Sequence, residues 1–203
     1  MTSDVENKII KNLISDDMCQ FFCSYMDHQI DRKAILEPFI SSGILSNMNF
    51  CSPCTQVQDS IGFYGSTVFD SLGVILLKQL IKELKKPLVF TYSFARKYFE
   101  GQELPHHSDR SSCEISLTLC LGWDGDDIPW PIWMQFDEGD KSVDLNVGDA
   151  YVYNGSTPHW RNELKHKKQY QLFLHYNMGG DFHPTNKWDG RVIHGIPKFD
   201  NFN

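Results

Sequence analysis

No apolar run in this sequence approaches the roughly 18 residues needed to span a bilayer, so no membrane-spanning helix is expected. Positive charge is also short. Lys and Arg total 19 against 26 Asp and Glu, a formal net charge of −7. An acidic surface repels a phosphate backbone, which makes nucleic acid a disfavoured partner. The opening residues MTSDVENKII carry two acids ahead of any long apolar stretch and lack the pattern of an export signal, so a cytoplasmic location is expected. No repeat or linker divides the chain, and 203 residues suit a single domain, 1–203. Core material is abundant. With 14 Phe, 8 Tyr and 5 Trp, a disordered or fibrous chain is excluded.

Six cysteines without an export signal are expected to be free thiols. Cys19 with Cys23, and the CxxC pair Cys51 and Cys54, could together offer four thiolates to a structural zinc. Cys19 and Cys23, however, sit in MCQFFCSYM, an apolar helical stretch where free Cys is ordinary core. Structural thiols are therefore preferred over zinc.

The first part of the chain, 1–87, reads as a helical region. Ser15 can cap a helix whose first turn holds Asp16 and Asp17, next to the positive end of the dipole. Met18, Phe21, Phe22, Tyr25 and Met26 then recur at helical spacing. Residues 37–65 show no clean period and read as loop with short elements. A second helix is expected after Ser66, with the stripe Phe69, Leu72, Leu76, Leu80 and Leu84, and it stops at Pro87. Beyond it the period turns to two: LVFTYSFARKYF, CEISLTLCLG, WPIWMQF, SVDLNV, DAYVYN and QYQLFLHY are short runs rich in β-formers, punctuated by Gly. Helices followed by six or more strands predict a mostly β sandwich or barrel with helices on one side. Residues beyond 178 read as an irregular tail.

The chemistry-bearing residues are His107, Asp109 and His159. Positions i and i+2 of an extended strand share a face, so His107 and Asp109 can enter one cavity. A third ligand from a neighbouring strand would complete the two-His, one-carboxylate facial set that leaves positions open on a non-haem Fe(II). Spacing alone is weak evidence, since eight His and 26 acids give about one H-x-[D/E] match by chance.

The stretches YSFARKYFEGQELPHHSDRSSCEISLTLCLG and WPIWMQFDEGDKSVDLNVGDAYVYNGSTPHWRN carry more. They resemble the prolyl-4-hydroxylase-like branch of the Fe(II)/2-oxoglutarate-dependent dioxygenases. In that branch a strand ending in Tyr leads through a Gly turn to H-x-D, and a Gly-Asp turn later leads to the distal His. YGSTVFDSL, TYSFARKYF, SDRSSCEIS and PHWRN are closer to a subset found in bacteria and phages. The resemblance implies a double-stranded β-helix (jelly-roll) over 88–178, with the N-terminal helices as supports and 179–203 as a tail. It implies Fe(II) held by His107, Asp109 and His159, with 2-oxoglutarate and O2 as cosubstrates and ascorbate as a supporting reductant. The reaction implied is hydroxylation of a C–H bond, of a peptidyl residue with proline favoured, as 2-oxoglutarate is decarboxylated to succinate. The same chemistry on a free amino acid or small metabolite is the alternative. A β-helix that binds metal or ligand without turnover is a third reading.

The distal carboxylate of 2-oxoglutarate needs a cation. Lys168 stands at the family spacing past the distal His, but within the basic run His166-Lys167-Lys168, which also suits a solvated hairpin. Arg161, two residues past His159, would point into the same cavity, and its planar fork suits a carboxylate. Tyr98 stands where the family places a Tyr that hydrogen-bonds the cosubstrate. Arg110 and Glu114 either pair with each other or grip substrate. Trp123, Trp130, Trp133 and Trp160 read as core or rim, and His106 and His175 as residues without a role in the site. Substrate choice would lie with the 37–65 loop, the 123–131 insertion and the tail. The oligomeric state is not legible.

Overall fold

A computed structural model describes residues 5–43, 51–125, 128–179 and 184–195. Parts of the 37–65 loop, the 123–131 insertion and the tail lie outside the described residues. In chain order the elements are β1 (Lys8–Ile10), α1 (Asp16–Ser41), β2 (Ser52–Pro53), β3 (Ile61–Tyr64), α2 (Thr67–Leu84), β4 (Leu88–Phe99), β5 (Leu104–His107) and a short 3-10 turn at Ser111–Cys113. There follow β6 (Ile115–Asp124), β7 (Ile132–Phe136), β8 (Gly139–Val143), β9 (Ala150–Asn154), β10 (His159–Arg161), β11 (Lys168–Met178) and a 3-10 segment at Pro184–Gly190.

Ser15 caps α1 through its side chain, accepting from the Met18 N–H at 3.4 Å, with Asp16 and Asp17 in the first turn. The helix runs on through Pro38 to Ser41, past the expected loop boundary at residue 37. Ser66 precedes α2 without a capping bond, because its hydroxyl is engaged by Tyr25 Oη at 2.9 Å. Lys85, left-handed at φ 53°, ends that helix ahead of Pro87.

Every strand pair is antiparallel. The larger sheet has the order β1-β9-β6-β11-β4-β3-β2, and the smaller β5-β10-β7-β8. The N-terminal region is thus not purely helical, since three of its segments complete the larger sheet. Along β11 the outward residues Tyr170, Leu172, Leu174 and Tyr176 pack with Phe22, Met26, Phe69, Leu76 and Leu80 of the two helices in the main core. The residues between them, Gln169, Gln171, Phe173 and His175, are buried too, on the inner face. There they meet Tyr98, Arg96, Phe94 and Tyr92 of β4 in register. A sheet with a polar inner face must be roofed, and the smaller sheet is that roof. Its Ile132 and Met134 pack with Tyr151 and Tyr153 of β9. The whole is the jelly-roll that the family resemblance implies.

SVDLNV departs from expectation. Ladder pairing ends at Val143, and β8 begins earlier, at Gly139, where it forms a tight hairpin with β7. Leu145 is still buried, so the inward alternation outlasts the hydrogen bonding. The Gly-Asp turn is held by Asp149, whose carboxylate accepts from the N–H groups of Asn12 and Asn146 and from Lys11 Nζ.

The tail is not wholly irregular packing. Arg191 docks into the core and pairs with Asp70 of α2 at 2.8 Å, both side chains fully buried. Asp70 also accepts from Ser93 N–H, Ser93 Oγ and Gly195 N–H. Removing one partner leaves a buried charge uncompensated, so Arg191→Ala should cost about 3–5 kcal/mol. Urea denaturation should show it as a lowered midpoint, and Asp70→Asn with Arg191→Met should lose less than the two single changes added together.

Candidate functional site

The turn after β5 and the start of β10 meet at the mouth of the barrel. His159 pairs across the ladder with His107, and their rings stand 4.2 Å apart. Asp109 lies just past the end of β5, where its N–H donates to the Gly155 carbonyl at 2.8 Å. A Cβ on Gly155 would drive into the Cys113 carbonyl and crowd Asp109, so only Gly lets these two turns approach.

Ligand atoms of His107, Asp109 and His159 all lie within 4.8 Å of one another. Each Nε2 faces Asp109 Oδ1, at 3.7 Å from His107 and 3.8 Å from His159. Each Nδ1 lies within hydrogen-bond reach of the carbonyl two residues back: His107 of Pro105 at 2.8 Å, His159 of Thr157 at 2.9 Å. A carbonyl only accepts, so both rings carry Nδ1–H and leave the Nε2 lone pair free. Burial holds His159 below the ordinary imidazole value, which keeps it in the ligating neutral form. Asp109 Oδ2 accepts from Ser116 Oγ at 2.6 Å, and His175 Nδ1 stands 3.0 Å from that same oxygen. The hydroxyl has one proton, so His175 Nδ1–H donates to Ser116, which donates to Asp109. The carboxylate is thereby fixed with Oδ1 toward the imidazoles. The donor set suits a divalent first-row metal with open positions.

His175, read from sequence as outside the site, is a buried inner-face residue stacked 4.5 Å from Tyr92, and burial pushes its imidazole down to about 4. His106 is exposed, as its alternation requires, and lies over Trp160.

The three ligands line a cavity of 260 Å3 whose walls include Arg96, Phe94, Tyr64, Tyr92, Cys54 and Phe173. Arg161 and Tyr98 are not among the residues that line it; Arg161, two residues past His159 on β10, is 1% exposed. One nitrogen donates to the Trp130 carbonyl, whereas Nε and Nη2 have no hydrogen-bond partner among the described residues. Burial pulls this guanidinium below its ordinary value, with Tyr98, Cys120 and Tyr153 opposing. A buried cation with two idle donors is the form a carboxylate site takes when the carboxylate is removed. Tyr98 is fully buried on the same side, edge-on to Trp130. Lys168 is placed elsewhere. It begins β11 on the outward face, with Nζ 5.7 Å from the Tyr170 ring, and its neighbour Gln169 takes the inward position.

Arg110 and Glu114 do not pair with each other. Arg110 lines the cavity mouth and forks onto Asp189 of the tail, which also accepts from Tyr64. Glu114 accepts from Met178 N–H and Asn177 Nδ2. Trp130 packs with Tyr98, Trp133 stacks on Trp160, and Trp123 stacks on His166. Cys19 and Cys23 face the β6 backbone, whereas Cys54 touches Arg96 in the cavity wall, so the two pairs do not converge.

Arg96, Ser116, His175 and Asp189 were missed from sequence. The alternation of β4 offered one signal, because Arg96 is two residues from Tyr98 and shares its face. Asp189 offered none, since tail docking is tertiary.

No protein-family model matches the chain, and no curated protein is similar to it in sequence. Solved structures do match. A Pseudomonas putida prolyl-4-hydroxylase superposes with TM-score 0.59 at 13% identity, over 88% of this chain and 96% of that one. The viral collagen prolyl hydroxylase of Paramecium bursaria Chlorella virus-1, solved with 2-oxoglutarate, gives 0.54 at 12%, over 87% and 98%. HygX from Streptomyces hygroscopicus, with nickel and 2-oxoglutarate bound, gives 0.60 at 10%, over 87% and 84%. The fold is that of the 2-oxoglutarate–Fe(II) oxygenases. Among the described residues, no helix is long and apolar enough to cross a membrane.

Two outcomes are expected at this site. Ser116→Ala should weaken metal binding about 10–100-fold through the loosened Asp109 carboxylate, and the triple Ala variant of His107, Asp109 and His159 should lose it in a metal titration. Separately, burial would raise the Cys54 thiol, but Arg96 and nearby backbone N–H groups outweigh it and hold it below its ordinary value. Burial raises the other five thiols. Cys54 should therefore be the first thiol alkylated by iodoacetamide near neutral pH, with its lead shrinking as alkalinity ionises the others.

Proposed function

We propose that this protein is an Fe(II)- and 2-oxoglutarate-dependent dioxygenase that hydroxylates a C–H bond. The observation that carries the reading is the pair of imidazoles tied back through Nδ1, with both Nε2 atoms turned onto one oxygen of Asp109. The buried Arg161 with its idle nitrogens supports it, as does the shared fold. Bound Fe(II), with 2-oxoglutarate and O2, supplies the oxidising power for hydroxylation as the oxo acid becomes succinate, and ascorbate supports the metal's reduced state.

The chain's own residues do the rest. His107, Asp109 and His159 hold the metal. Arg161 takes the distal carboxylate of 2-oxoglutarate and Tyr98 hydrogen-bonds the cosubstrate beside it. Phe94, Leu104 and Phe173 line the cavity and exclude water from the reacting centre. Two substrate readings follow. A peptidyl residue, proline first, is the class implied by the sequence resemblance, and two of the matching structures are prolyl hydroxylases by name. A free amino acid or small metabolite is favoured by the buried Arg96 in the cavity wall.

Incubation with Fe(II), ascorbate, O2 and 2-oxoglutarate should release succinate, and mass spectrometry of candidate substrates should show one added oxygen. The cosubstrate anchor is tested by the visible charge-transfer band of the anaerobic Fe(II)–2-oxoglutarate complex. Two charge-assisted hydrogen bonds at about 1.5–3 kcal/mol each make Arg161→Ala lose roughly two to four orders of magnitude in 2-oxoglutarate affinity, with Fe(II) binding retained. Lys168→Ala should stay within about fivefold of wild type. The reverse result would return the role to Lys168.

A further inference from the structure

The cavity wall holds a buried guanidinium to which the cosubstrate contacts proposed above assign no role. Arg96 is 3% exposed and reaches the cavity from the inner face of β4. Its Nη1 donates to Tyr98 Oη at 2.9 Å and its Nη2 to Gln56 Oε1 at 2.8 Å and Cys54 Sγ at 3.0 Å, while Nε has no partner among the described residues. It lies over the faces of Phe94 and Tyr98, at 5.0 and 5.2 Å. None of these contacts is a carboxylate. The fully buried guanidinium of Arg191, by contrast, is paired with Asp70, and even the half-exposed Arg110 meets Asp189. A cation taken from water without an anion is costly, and residues that line an open cavity can receive that anion from outside. 2-Oxoglutarate has two carboxylates. On the dioxygenase reading, one would go to the metal held by His107, Asp109 and His159 and the other to Arg161.

We infer that Arg96 is a substrate-binding residue, and that the substrate carries a free carboxylate, as a free amino acid or a related small carboxylic acid does. The inference rests on the dioxygenase reading above and selects its small-metabolite branch. Gln56 Oε1 and Tyr98 Oη, which accept from Arg96, would hold the guanidinium in place for that carboxylate. A peptidyl proline inside a chain has no carboxylate to offer there.

The test compares the common free L-amino acids and simple aliphatic and aromatic monocarboxylates with their carboxamides. The first readout is the shift of the charge-transfer band in the anaerobic Fe(II)–2-oxoglutarate protein. The second is the rate of Cys54 alkylation in the metal-free protein, because an anion on Arg96 covers the thiol and withdraws its charge partner. At least one carboxylate should perturb the band and slow alkylation, with its amide about 100-fold weaker, as expected when two charge-assisted hydrogen bonds are lost. Arg96→Gln should erase the preference for acid over amide while 2-oxoglutarate affinity changes by less than about threefold. Should that variant fail to fold, Arg96→Lys should keep the preference but weaken the acid about tenfold, since the fork is gone. Equal binding of acids and amides overturns the inference, as does silence across the panel. Loss of 2-oxoglutarate binding in Arg96→Gln also overturns it, and makes Arg96 the cosubstrate anchor. If wild-type protein binds no 2-oxoglutarate, the dioxygenase reading fails instead, and the alkylation assay still decides whether Arg96 holds a carboxylate.

Discussion

The strand β11 imposes the constraint on which the site depends. It lies between β4 and β6 and is buried on both faces, yet its two faces differ in kind. One carries Leu172, Leu174 and two Tyr against the helices. The other carries Gln169, Gln171 and His175. Hydrophobic burial on the outer face fixes the register, and a slip of one residue would exchange the faces and put both glutamines among the helices. The inward polar row is therefore held in place by apolar packing that never touches the site. The same register sets Arg96 opposite Gln171 and Tyr98 opposite Gln169.

Precision at the candidate metal site has a more local origin. The two histidines come from adjacent strands of the smaller sheet, but Asp109 comes from the turn beyond β5 and would be mobile if left alone. Three contacts fix it: its N–H on the Gly155 carbonyl, Ser116 on Oδ2, and His175 behind Ser116. Ser116 and His175 are neighbours across the β6–β11 ladder, so the larger sheet reaches across the barrel to orient a ligand of the smaller one. Each sheet thus contributes to one coordination geometry. The tail adds a clasp at the rim, where Asp189 joins Arg110 and Tyr64.

Much of this was legible in the sequence because it is written in short-range periodicity. The strand LVFTYSFARKYF appears with its expected limits, and the α2 stripe faces the core. His107 and Asp109 converge as alternation suggested, although Asp109 lies in the turn past β5 and not on the strand. What escaped has a common cause. Ser116 and His175 are unremarkable members of alternating strands until the register aligns them. The docking of Arg191 into Asp70 joins residues 121 apart, and no local pattern encodes it. Lys168 shows the limit of spacing, which places a residue along a strand but does not say which face it takes. One step in β11 separates the outward Lys168 from the inward Gln169.

The charge distribution sharpens what the cavity is for. The chain as a whole is acidic, at −7, so long-range attraction would not draw an anionic ligand toward it. Inside the barrel the balance reverses: Arg96 and Arg161 are buried with only neutral partners, and Asp109 faces the two imidazoles. A bound Fe(II) would absorb the charge of Asp109 and one carboxylate of an oxo acid, leaving two guanidinia to be matched. Surface repulsion slows the approach of an anion only through a screened, long-range field, whereas a dry cation within the cavity acts at contact, where screening is weak. Affinity for carboxylates is therefore set by the interior, and the acidic exterior leaves it largely intact.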